Sequence, residues 1–315
     1  MPTVPAFDHI FVLIMENHSA SQIIGSADAP FINGLVASYG LAANYSAVAH
    51  PSLPNYLALT GGSTFGVITD CTDCFQNAPN IAVDRIAASG RTWRGYMESM
   101  PSAAFVGDAY PYMQKHDPFV YYDDIRTDPK QFANVVPYTQ LATDLSALAT
   151  TPSFGWITPN MINDMHDGTV AQGDNWLSVA VPALLSSDAF TKRRSALFIT
   201  FDENDDSAGN EVATIVIAQG VPAGFKSHVP YTHYSLLRTI EDAWGLQPLT
   251  ANDAAASPMT DFFPAASFAL WKSVIRRCYR REKQLLRGAG RVSFGIMKLI
   301  FPAVNATAPM GEPVR

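Results

Sequence analysis

The 315-residue chain is 48% hydrophobic and 16% charged, with 21 Lys and Arg against 28 Asp and Glu. Such a composition buries a large core and excludes disorder of the whole, and no apolar run reaches the roughly 18 residues needed to cross a bilayer. The charge is split: residues 266–315 carry ten Lys and Arg against two Glu, net +8, which leaves −15 on the remainder of a chain whose total is −7. An acidic body with a basic tail argues against a nucleic-acid binder, whose cationic footprint belongs on the folded domain.

In chain order, His9–Met15 (HIFVLIM) reads as a buried parallel strand ending at Glu16, Asn17 and His18. Asp8, His9, Glu16 and Asn17 interrupt the apolar stretch, so it is not a basic-then-apolar leader. Pro30–Tyr39 reads as a helix with Pro in its first turn, and His50-Pro51-Ser52-Leu53-Pro54-Asn55 leads into a short helical run over Asn55–Thr60, stopped by Gly61 and Gly62. Cys71 and Cys74 (C-T-D-C) have no second pair for a zinc site, so a short loop disulfide is expected, with Cys278 a free thiol. The stretch 91–139, rich in Tyr, Pro and Asp, reads as an irregular insertion over one end of a sheet. Phe154–Thr158 and Ser195–Phe201 are strands, Glu211–Gln219 is the next, Gly173–Ser187 is a helix that Pro182 kinks or delays, and Thr232–Trp244 has helical apolar spacing. This alternation predicts an α/β layered fold, with one catalytic domain over 1–265 and a tail over 266–315.

In an open parallel sheet, ligands bind beyond the carboxyl ends of the strands. Polar clusters follow three of these strands: Glu16-Asn17-His18, Asn163-Asp164-Met165-His166-Asp167-Gly168, and Asp202-Glu203-Asn204-Asp205-Asp206. They offer hard oxygen ligands for a divalent cation and imidazoles for proton transfer. Ser52, just before a helix start, is either a nucleophile beside an anion-binding helix terminus or only a helix cap.

HPSLPNYLALTGG, ENHS, NDMHDG, GDNWL, FDEND and YTHYSLLRTIEDAWGL, in that company, resemble the bacterial phosphoesterase family. That family holds acid phosphatases, phosphatidylinositol-phosphate phosphatases and phospholipases C, within the alkaline phosphatase superfamily. The resemblance runs from about His9 to Leu246. It implies a three-layer α/β/α sandwich with a mostly parallel sheet, and a phosphatase that uses one divalent ion (Mg, Ca or Mn). By position, Ser52 matches the nucleophile, and Glu16, Asn17, Asp202 and Glu203 match the metal ligands. Glu203 stands where two-metal superfamily members commonly have His, and Glu16-Asn17 replaces a lone Asp, which favours a one-metal branch. His166, Asp167 and His233 fall where a second metal's ligands would be and are expected on the phosphate, with His166 or His233 as proton donor. Asp70, Asn55 and His116 are expected to line the pocket. The implied partner is a phosphorylated small molecule or lipid head group. A phosphodiesterase or phospholipase C, or an inactive lipid-binding module, stands as the alternative; a sulfatase lacks support because S-L-P-N-Y has no C/S-x-P-x-R arginine. The resemblance implies a secreted or periplasmic protein, whereas the missing leader leaves the cytoplasm open.

In the tail, Leu270, Trp271, Val274, Ile275 and Cys278 fall on one helical stripe flanked by Lys272, Arg276, Arg277, Arg280 and Arg281. This pattern suits packing on the acidic body or peripheral contact with anionic lipid.

Overall fold

Seven consecutive buried residues, His9–Met15, form strand β1. A computed structural model of the chain describes residues 3–206 and 209–264. The remaining strands are β2 (Gly40–Ala42), β3 (Tyr45–Ser46), β4 (Trp93–Met97), β5 (Val135–Pro137), β6 (Phe154–Thr158), β7 (Ser195–Phe201), β8 (Thr214–Ala218), β9 (Phe225–Ser227) and β10 (Tyr231–Thr232). Eight of them form one sheet in the order β5-β4-β6-β1-β7-β8-β2-β9, while β3 and β10 pair separately. The run from β5 to β7 is parallel throughout, and β8 lies antiparallel to both its neighbours. A strand buried on both faces needs no polar alternation, which is why β1, β6 and β7 read as plain apolar runs. At Gly155 of β6, an added Cβ would lie 2.3 Å from the Phe11 ring, so the close approach of that ring to β6 requires glycine.

Four principal helices flank the sheet in a three-layer α/β/α arrangement: α1 (Pro30–Ser38), α2 (Ser52–Gly61), α3 (Val170–Leu185) and α4 (His233–Trp244). Helix α1 packs on α3, and α2 on α4. Two expectations need correction. Helix α2 begins at Ser52 rather than Asn55, because Pro at its first turn positions costs no intrahelical hydrogen bond. The 91–139 stretch is not wholly an irregular insertion over one end of the sheet. Its ends are β4 and β5, paired in the sheet, and only residues between them are irregular. Both strands are too short for their alternation to stand out among the surrounding Tyr, Pro and Asp.

The chain divides into two units, Met1–Ala269 and Leu270–Arg315. The amphipathic basic stripe and Cys278 lie outside the described residues. Among those described, no helix is long and apolar enough to cross a membrane.

Glu241 of α4 is fully buried, and burial followed by the charge of Asp253 pushes its carboxyl up to about 9. A carboxyl raised in the fold from its unfolded value of about 4.3 contributes stability below that value, lost as pH rises through the folded one. The native protein therefore loses stability from this group between about pH 5 and pH 9, by roughly 1.4 kcal/mol per pH unit at most. Glu241→Gln removes that slope, so its advantage over the parent grows with pH. Urea midpoints at about pH 5, 7 and 9 check this; parallel pH slopes for the two proteins would refute it.

Candidate active site

The turn after β1 sets the floor of the site. Asn17 adopts the left-handed conformation (φ 54°), one that Asn tolerates better than most residues. The Asp202 amide donates to the Met15 carbonyl (2.9 Å), and the Asn17 amide donates to Asp202 Oδ1 (3.2 Å). The ends of β1 and β7 thus bring Glu16, Asn17, Asp202 and Glu203 together. The loop after β6 joins them, since the Glu16 amide donates to the Asp164 carbonyl at 2.9 Å. That loop is anchored by Glu98, which accepts hydrogen bonds from the Asn160 amide, Asn163 Nδ2 and Trp176 Nε1. At Gly168 a Cβ would sit 1.9 Å from the Ile162 carbonyl oxygen, so the turn that follows His166 and Asp167 admits only glycine.

Ser52 is the first residue of α2, and its hydroxyl lies 3.3 Å from both Glu16 Oε2 and Glu203 Oε1. Tyr56, one helical turn on and therefore on the same face, donates to Glu16 Oε1. His116 stacks on the Tyr56 ring (centroids 5.4 Å, interplanar angle 9°), with Nε2 3.2 Å from Glu16 Oε2 and Nδ1 3.3 Å from Asp164 Oδ2. His50 Nδ1 lies 2.6 Å from Glu203 Oε2. Burial, then the neighbouring acids Asp202 and Asp164, holds Glu16 well above the usual carboxylate range; burial also raises Asp164, Asp202 and Glu203.

Four buried carboxyl groups at such close quarters need positive charge. Asn17 Oδ1 and Asp202 Oδ2 are buried and have no hydrogen-bond partner among the described residues. These orphaned oxygens beside Glu16 and Glu203 form a hard-oxygen donor set that fits a divalent cation of the Mg, Ca or Mn type. A second grouping also appears among the described residues: Glu16, His116 and His166 bring ligand atoms within 4.8 Å of one another.

Other expected site residues have different employment. His233 is wholly buried: its Nε2 donates to the Asp202 carbonyl at 2.5 Å, and Nδ1 accepts from the Tyr45 hydroxyl at 3.1 Å. With both nitrogens engaged, it braces the loop carrying Asp202 instead of reaching a phosphate or donating to a leaving group. Asn55 is also wholly buried. Its Oδ1 accepts from the Val48 and Ala49 amides and its Nδ2 donates to the Ala49 and Pro51 carbonyls, so it clamps the chain that delivers Ser52 rather than lining a pocket. Asp70 accepts from the Leu53 amide (3.0 Å) and from Lys115 (2.9 Å), so both its oxygens are engaged at the head of α2. Asp167 accepts from His166 Nδ1 at 2.8 Å and orients that ring. Sequence reasoning gave no individual role to Tyr56, His50 and Lys115, and placed Asp164, like His50, only as one member of a polar cluster. Tyr56, His50 and Asp164 lie inside the motifs S-L-P-N-Y, H-P-S and N-D-M-H, whereas Lys115 sits in the irregular segment with no pattern to mark it.

The model of the Phosphoesterase family matches residues 26–247. The chain is 35% identical over 262 residues to the Phosphatidylinositol-3-phosphatase of Mycobacterium tuberculosis, covering 82% of this chain and 84% of that protein. It is 32% identical over 254 residues to the Phosphate-repressible acid phosphatase of Penicillium chrysogenum, covering 77% of this chain but only 61% of the fungal protein. A Vibrio parahaemolyticus protein of the alkaline phosphatase superfamily shares the fold, with a TM-score of 0.56 at 12% identity over 80% of this chain and 70% of that one.

Proposed function

The chain belongs to the Phosphoesterase family and is a phosphoric ester hydrolase, and from that premise we propose that it hydrolyses phosphomonoesters through a phosphoserine at Ser52. The reading is carried by the Ser52 hydroxyl, held at the head of α2 between the carboxylates of Glu16 and Glu203. In the first step Ser52 Oγ attacks phosphorus in line as the bond to the leaving oxygen breaks, and the serine proton has carboxylate oxygens 3.3 Å away to receive it. In the second, water attacks the phosphoserine and frees Ser52 and inorganic phosphate. Glu16, Asn17, Asp202 and Glu203 would hold one divalent ion, which when bound supplies Lewis-acid stabilisation of charge on the reacting oxygens. His166, oriented by Asp167, and the buried His116 bring ring nitrogens close to Glu16 and shape the phosphoryl subsite.

The substrate class is a phosphorylated small molecule or lipid head group, a reading supported by the name of the mycobacterial relative. The Cys71–Cys74 disulfide supports a secreted or periplasmic location, since such bonds persist in oxidising compartments. The test compares p-nitrophenyl phosphate with bis(p-nitrophenyl) phosphate, each with and without EDTA. Faster turnover of the monoester, abolished by the chelator and restored by Mg, Ca or Mn, is expected. Preference for the diester would replace this reading with a phosphodiesterase.

A further inference from the structure

A phosphoryl group entering this site finds fewer backbone donors than a free helix terminus offers. The Leu53 amide is taken by Asp70, Pro54 has no N–H, and the Asn55 side chain is used by the preceding loop. Lys115 stands at the same place. It is only 14% exposed, its Nζ donates to Asp70 Oδ2 at 2.9 Å, and it lies 3.1 Å from His166 Nε2. An ammonium has no acceptor, so His166 Nε2 must be the acceptor there, and the imidazole proton sits on Nδ1, donated to Asp167. His166 therefore has no proton to offer on the Lys115 side, contrary to its expected part as proton donor.

Two chains of hydrogen bonds converge on this one ammonium: Leu53 amide to Asp70 to Lys115, and Lys115 to His166 with Asp167 behind it. Among the described residues they use two of its three N–H donors, which leaves the third for a ligand oxygen. The place is also the reacting place. Asp70 is tied to the residue after Ser52, and His166 brings a ring nitrogen within 4.8 Å of the Glu16 carboxylate that accepts from Ser52. A fixed positive charge 3.1 Å from His166 Nε2 opposes a second divalent ion on Glu16, His116 and His166, so the ammonium supplies the positive charge there.

Resting on the phosphomonoesterase reading, we propose that Lys115 binds the phosphoryl oxygens of the substrate and sets the preference for monoesters over diesters. A monoester dianion carries one more negative charge on its non-bridging oxygens than a diester monoanion. A poorly solvated, pre-positioned cation discriminates on that difference.

Lys115→Met and Lys115→Arg test this, with kcat/KM for p-nitrophenyl phosphate and bis(p-nitrophenyl) phosphate and calorimetric binding of inorganic phosphate. In Lys115→Met the monoester kcat/KM is expected to fall by about 10- to 100-fold, the diester value by much less, and phosphate affinity in parallel with the monoester. Lys115→Arg, which keeps the charge, recovers part of the monoester loss. Equal falls for both esters, or no recovery by Arg, would reduce Lys115 to a brace for Asp70 and His166. If the native protein cleaved neither ester, the phosphomonoesterase reading would fail, and phosphate binding would still decide the inference: equal affinity in native protein and Lys115→Met overturns it.

Discussion

Ser52→Ala is expected to lower kcat for p-nitrophenyl phosphate by at least about 10³-fold and to leave the fold unchanged. The variant loses the one hydroxyl that, among the described residues, contacts both Glu16 and Glu203, while the rest of the site remains. What survives is direct attack by water in a site that still stabilises charge, so the loss falls on kcat more than on KM. Stability should hold. The Ser52 hydroxyl is directed at Glu16 and Glu203, alanine is a better helix former, and the two 3.3 Å contacts are long for hydroxyl hydrogen bonds. Rapid acid quench with radiolabelled substrate gives the second readout: label retained on the native chain and none on the variant. Turnover within tenfold of the native protein would remove Ser52 from the nucleophile's role.

Asp202→Asn is expected to abolish both metal binding and activity, and at the same time to make the metal-free protein more stable. Those opposite signs come from one cause. Asp202 is fully buried with Glu16, Glu203 and Asp164 around it; burial raises all four carboxyls, and the charge of Asp202 raises the other three further. A cation bound among these oxygens relieves the repulsion, and a ligand at about 100 times its Kd adds roughly 2.7 kcal/mol to the folded state. Replacing the carboxylate with an amide of the same shape relieves repulsion without the cation and removes a ligand. Thermal midpoints with EDTA and with Mg, Ca or Mn, alongside metal content by mass spectrometry, separate the two effects. A native midpoint and turnover indifferent to EDTA would rule out the cation.

Much of this was open to reading in the chain itself. Strands β1, β6 and β7 are buried over their whole lengths and mostly apolar because both sheet faces are covered, and such runs end where the chain meets solvent or a ligand. The clusters E-N-H, N-D-M-H-D-G and D-E-N-D stand at those ends, so their convergence follows from the parallel pairing of β6, β1 and β7. Strand-end chemistry of this kind is a local property, carried by a few adjacent residues. Tyr56 belongs with it, since the four-residue step from Ser52 is one turn of helix.

The partners each side chain selects are another matter. His233 and His166 are both histidines inside family-like motifs, yet one is walled in by Tyr45 and the Asp202 carbonyl and the other faces Lys115. Asn55 and Asp70 stand beside Ser52 in sequence or through a loop, and they spend their hydrogen-bonding groups on backbone and, for Asp70, on Lys115, partners that the sequence alone does not locate. Lys115 arrives from an irregular segment whose path is set by contacts such as Gln114 Nε2 donating to the Thr72 carbonyl and the Gln76 amide donating to the Tyr121 carbonyl. A motif fixes residue type and local direction. Which buried polar groups satisfy one another depends on segments 17 to 188 residues apart meeting in a space with no water to substitute, and only the tertiary structure decides that.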